Sequence, residues 1–187
     1  MNREQALALL KEHVQSDQLL RHSYAVEAAM IAYAKKYGED VERWSIIGLL
    51  HDIDFEKYPD VHPGKAPDLL GAAGVEESII HTILSHGSKS EHPRDSLERK
   101  ALYAVDQMSS FIVAVALMRP QRFDGLAAKS VKKKMKAAAF AKAVSREELT
   151  ESMEDLGEQF ADHVATIVAG LVEQEERLQA EGFTLLG

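Results

Sequence analysis

Cysteine is absent from the 187 residues. Its absence excludes a disulfide framework, thiolate metal ligands and a cysteine nucleophile. Any bound metal must then be held by His, Asp, Glu or water, which points to Mn, Fe, Co, Mg, Ni or Zn rather than to iron–sulfur chemistry. Excess positive charge is also lacking. The formal net charge is -8, so nucleic acid is not the expected partner. No uninterrupted apolar stretch approaches the roughly 20 residues of a membrane span, so no membrane association is expected. The start of the chain, Met1-Asn2-Arg3-Glu4-Gln5, is polar and lacks a secretory signal, so the expected location is cytoplasmic. Internal repeats, low-complexity segments and a convincing strand pattern are missing too.

What is present is helical periodicity in a chain of ordinary composition, 45% hydrophobic and 28% charged, long enough for one domain with a substantial core. Apolar spacing predicts a helix over 3–14. Ser16 or Asp17 caps a second that runs to about Tyr37 and stops at Gly38. Asp40 caps a third, which carries Trp44, Ile47 and Leu50 and ends at His51-Asp52. The stretch from Asp54 to Gly64 holds two prolines and a glycine and reads as a break. Short helices follow over 66–73 and 76–84, the second closed by Ser85-His86-Gly87. A polar loop from Ser88 to Arg94 leads to Asp95 or Ser96, the cap of the most apolar helix, Leu97 to Met118, which Pro120 breaks. Ser145-Arg146-Glu147-Glu148 has capping-box spacing and opens a last helix that extends to Glu181, bent at Gly157 or Gly170. The fold class is therefore all-α. Residues 1–120 form the expected core, and 121–187 supply helices that pack on that core or on a partner chain, as in a homodimer.

Four polar residues stand out because they lie in or beside apolar helical runs. His22 precedes Val26 by four residues and shares its apolar face. His51 and Asp52 end the run Ile46-Ile47-Gly48-Leu49-Leu50. Adjacent helical side chains diverge by about 100°, so this pair meets only at a point lying across both directions. Asp106 sits within the most apolar helix. Singly, each has an ordinary explanation: a backbone-bonded core histidine, a helix end, a buried salt bridge. Together they supply two imidazoles and two carboxylates, a donor set for a first-row divalent ion. Lysines crowd the segment 129–136, either as a solvated face or as an electrostatic lip for a phosphate.

The order His22, then His51-Asp52, then Asp106 within an all-helical chain resembles the HD-domain superfamily of metal-dependent phosphohydrolases. The resemblance spans roughly residues 17–120. It implies an HD-like helical bundle with a C-terminal helical extension, and it implies that these four residues bind one metal. Some branches of the superfamily add two histidines and a second ion bridged by the pair's aspartate. His62 and His86 resemble those positions, which gives one or two divalent ions per chain. The Gly-Tyr-Pro signature of one binuclear branch is absent here, as is a lysine three residues past the pair. The implied activity is hydrolysis of a nucleotide or other small phosphate ester by a metal-activated water. Asp52, Asp54 and Glu56 are the candidate catalytic carboxylates, and Lys65, Lys129 and Lys133 the candidate phosphate-binding cations. Two alternatives remain: a di-iron oxygenase on the same scaffold, and a non-catalytic binding or dimerisation module.

Overall fold

The computed structural model describes residues 1–87 and 90–187. Ser88 and Lys89, the start of the expected polar loop, lie outside the described residues. Among the described residues there are nine helices and no strand: α1 Arg3–His13, α2 Asp17–Tyr37, α3 Val41–Leu50, α4 Ala66–Ala72, α5 Glu77–Leu84, α6 Leu97–Leu117, α7 Ala128–Met135, α8 Arg146–Leu156 and α9 Phe160–Ala180.

Short polar side chains start many of these helices by accepting the amide hydrogens that a first turn leaves unpaired. Ser16 accepts from the Leu19 amide, Asp40 from those of Glu42 and Arg43, and Ser96 from that of Arg99. Asp95, the other candidate cap for α6, pairs with Arg99 instead, at 2.9 Å. Only half of a capping box forms at α8, where Ser145 Oγ accepts from the Glu148 amide. The complete box is at α1, between Asn2 and Gln5.

Helix α2 is the axis of the fold. Ser23 to Met30 are all buried, so this helix is enclosed on every side for two turns. Its neighbours come close enough that side chains would not fit between the backbones. A Cβ on Gly48 of α3 would lie 2.7 Å from Glu27 Cα, and one on Gly170 of α9 would collide with the Ala28 carbonyl oxygen. Around this axis the core is filled by Leu10, Met30, Ile47, Leu50, Met108 and Leu171, each fully buried. Truncating any of these to alanine removes transfer energy and leaves a cavity, at about 2–5 kcal/mol.

The C-terminal region departs from expectation. The single helix expected over 145–181 is two helices. Gly157 adopts φ 82°, a left-handed conformation that costs little without a Cβ, and it ends α8. Gly170 stays helical, because its role is the close approach to α2. Helix α9 packs along α2, and α8 packs on α6.

Helix α6 is long and apolar enough, by length and composition, to cross a membrane. Within this fold it is a core helix, more than half buried, and it carries Asp106 toward α2 and α3. Arg43 ties it to α3 through Glu98 at 2.8 Å, and Glu98 also accepts from Thr82 of α5 at 2.6 Å. One carboxylate thus fixes the spacing of the three helices whose ends or sides carry His51, His86 and Asp106.

Candidate metal centre

Local chemistry orients His51, His62 and His86 before any contact between distant helices is counted. The last carbonyls of a helix have no amide partner within it. His51, just past α3, donates its Nδ1–H back to the Gly48 carbonyl at 2.9 Å. His86, just past α5, does the same to Ile83 at 2.6 Å. Two helix ends thus use one device to aim an imidazole away from the helix. His62 is held from the 54–64 loop. Its Nδ1 donates to Asp54 Oδ1 at 2.6 Å, and the other oxygen of this buried carboxylate accepts the Lys65 amide at 3.0 Å. His22, in the second turn of α2, places Nδ1 2.8 Å from Ser110 Oγ on α6.

With every Nδ1 engaged, all four Nε2 atoms face one carboxylate. On the Oδ2 side of Asp52, His22 Nε2 lies at 3.3 Å and His51 Nε2 at 3.5 Å. The same two nitrogens lie 3.2 and 3.6 Å from Asp106 Oδ1. On the Oδ1 side, His62 Nε2 lies at 3.2 Å and His86 Nε2 at 3.4 Å. Ligand atoms held about 2.1 Å from one ion are themselves separated by about 3.0–3.4 Å. The separations here, 3.2–3.6 Å, lie in or just above that range, and His22, His51 and Asp52 on one side, and Asp52, His62 and His86 on the other, could each hold a metal ion.

The nitrogens also oppose one another, at 3.0 Å for His22 and His51 and 3.1 Å for His62 and His86. The Gly48 and Ile83 carbonyls only accept, so Nδ1 of His51 and His86 carries the proton and a neutral ring presents a lone pair at Nε2. Asp54 imposes the same tautomer on His62. Across the His62–His86 gap lone pair then faces lone pair unless a proton or a metal ion enters, whereas the Ser110 hydroxyl can either donate to His22 or accept from it. A divalent metal fits these donors, and the Nδ1 contacts are the outer hydrogen bonds that a ligating histidine requires.

Without a metal the cluster attracts protons. Burial resists charging His22, but Asp106 and Asp52 outweigh it and raise its pKa to about 10. Burial likewise opposes protonation of His62 and His86, yet Asp52 raises both, His62 to about 9 with help from Asp54. Asp52 and Asp106 are held below the usual carboxylate range, because the surrounding imidazoles overcome the burial penalty.

Beside the cluster opens a cavity of about 910 Å³ whose wall includes His22, Asp52, Asp106 and Glu56. Glu56 Oε2 accepts the amides of Gln15 and Ser16 at 2.9 and 3.0 Å, which pins the loop to the start of α2. Asp54 is buried behind His62 and is not part of the wall. None of the lysines expected to meet phosphate lines the cavity. Lys65 is exposed and paired with Asp68 at 2.9 Å, while Lys129 and Lys133 are exposed on α7. Among the described residues the cation in the wall is Arg21. Sequence reading passed over Arg21 and Ser110. Both had a signal, since Arg21 adjoins His22 and Ser110 lies four residues past Asp106 on the same helix face.

Residues 19–110 match the family model described as the HD domain. No curated protein and no solved structure matches the chain.

Proposed function

Residues 19–110 are an HD domain, a family of generally metal-dependent hydrolases, and from that premise we propose that the chain is a metal-dependent phosphohydrolase acting on a small phosphate ester. The observation that carries this reading is the four opposed Nε2 atoms around the two oxygens of Asp52. His22, His51, Asp52 and Asp106 would hold one divalent ion, and Asp52, His62 and His86 a second. The imidazole-rich set favours a first-row transition ion such as Mn, Fe or Zn over Mg. Such ions supply a water made acidic near neutral pH and a positive charge that polarises a phosphoryl oxygen.

The chain's own groups do the rest. Asp54 keeps His62 in the tautomer that ligation requires. Glu56 is the side-chain carboxylate of the cavity wall outside the ligand set, and in this reading it would accept a proton from the attacking water. In hydrolysis the bond from phosphorus to the leaving oxygen breaks, one to the water oxygen forms, and the departing alcohol takes up a proton. Arg21 is the wall's cation for a phosphate oxygen.

The test is metal content of the purified protein together with a phosphate-ester panel at neutral pH. The expected result is close to two transition-metal equivalents per chain, with hydrolysis that chelation abolishes and Mn restores. A metal-loaded protein that hydrolyses no ester would refute it. Six His and Asp donors with a shared carboxylate also suit a di-iron oxygenase. Oxygen consumption by the iron-loaded protein would favour that reading instead.

A further inference from the structure

The cavity beside the metal cluster is built for something other than a highly charged molecule. Much of its wall is aliphatic, from Leu19 of α2, Val113 and Leu117 of α6, Val144 before α8, and Leu185 and Leu186 after α9. The last two are held in place from within. The buried Glu175 accepts from Thr184 Oγ1 at 2.6 Å and from the Leu185 amide at 2.7 Å.

The polar side chains of the wall are mostly committed to protein partners. Gln107 donates to Glu148 at 2.8 Å, Ser110 bonds His22, and Glu56 holds two amides. Arg21 donates to the Thr184 carbonyl at 3.0 Å and lies over the Phe183 ring. A nucleobase needs donors and acceptors along its edge, and a polyphosphate needs several cations. Among the described residues this wall offers one cation, already anchored, and a single aromatic carbocycle, Phe55.

Building on the phosphohydrolase reading, we infer that the substrate is a phosphate monoester whose leaving group is a largely apolar body, seated against Val113, Leu117, Leu185 and Leu186 while its phosphate meets the metal cluster. A cavity of about 910 Å³ lies in the range of sites that enclose ligands of drug-like size.

The experiment is calorimetric titration of the Mn-loaded full chain with alkylphosphonates from methyl to octyl, with adenosine monophosphate and glycerol phosphate alongside. Affinity is expected to rise by up to about fourfold per added methylene, the ratio for burying one such group. Octylphosphonate should bind at least about tenfold tighter than the nucleotide. Leu117→Glu, at an exposed position, and Leu186→Gln, at a half-buried one, should each flatten the series while metal stoichiometry stays that of the parent. The two variants guard against loss of fold in one. Affinity that does not grow with chain length, or tighter binding of the nucleotide, overturns the inference. Graded binding without hydrolysis of octyl phosphate upholds the apolar site and overturns the phosphohydrolase reading alone.

Discussion

Glu27 and Asp52 are both carboxylates withdrawn from water at the centre of this fold, and they are treated in opposite ways. Glu27 is fully buried on α2. Its oxygens accept from Arg3, from Ser45 at 2.6 Å, from Gln174 at 3.0 Å and from Arg177 at 3.3 Å. Those donors come from α1, α3 and α9, and they include two permanent cations. Glu27 is complete with what the chain supplies, and it clamps three helices onto α2. Asp52 meets four imidazole nitrogens instead, and each ring has its other nitrogen occupied. Imidazoles cancel a buried negative charge only when they hold an extra proton or share a metal ion. A buried acid closed by guanidinium groups is architecture, whereas one closed by imidazoles depends on a proton or a metal ion taken up from solution.

The histidines repeat the contrast. His163 of α9 is buried and complete: the Tyr33 hydroxyl donates to Nδ1, and Nε2–H donates to the Ala104 carbonyl at 3.3 Å. Burial keeps it neutral and pushes its pKa down to about 4. His22, beside two carboxylates, moves the other way.

The largest effect that would break this comparison is at Asp52. Asp52→Asn keeps the shape and removes the shared charge. It is expected to cost nearly all bound metal and at least about a thousandfold in turnover, with helical circular dichroism unchanged. Turnover near that of the parent with added Mn would show that Asp52 is not the bridge.

His86→Ala divides the cluster. Metal analysis should fall from about two equivalents to about one, with the ion at His22, His51 and Asp106 retained. One equivalent in both proteins would reduce the centre to a mononuclear site.

Glu27→Gln tests the other half of the comparison. Urea unfolding should register a loss of about 3 kcal/mol, because two partly buried guanidinium groups lose their counter-charge. Metal stoichiometry should not change. Loss of metal without loss of stability would reverse the roles assigned to the two acids.

The smallest effect is pH-dependent. The folded pKa of His163 lies below its ordinary value of about 6.5, so the unfolded chain takes up that proton first. Its neutral form is therefore no liability above about pH 6.5, and stability falls as pH drops from there toward about 4. Between pH 7 and pH 5 this one residue should account for about 2 kcal/mol of lost stability. His163→Gln should lose less over the same range, as compared by unfolding curves at the two pH values. Equal losses in both proteins would place the pH sensitivity elsewhere.

The amino-acid sequence alone marked helices α1 to α6, the caps at Ser16, Asp40 and Ser96, and the break from Asp54 to Gly64, but not α7 or the division of α8 from α9. It also marked the polar residues stranded in apolar runs. These signals act within a turn or two, through periodicity and unpaired helix-end groups, so they can be read along the chain. Even the tautomers of His51 and His86 follow from carbonyls only three residues away. Other features needed the packed chain. The closure of Glu27 joins residues 3, 45, 174 and 177, and nothing local announces it. The lysines of 129–136 suggested a phosphate lip, but α7 does not bring Lys129 or Lys133 to the cavity. Gly157 and Gly170 looked alike in sequence, yet one ends a helix and the other admits the backbone of α2. A side chain's type and its neighbours along the helix are local properties. Which groups share a pocket depends on how helices distant in sequence cross, and only the tertiary structure decided that.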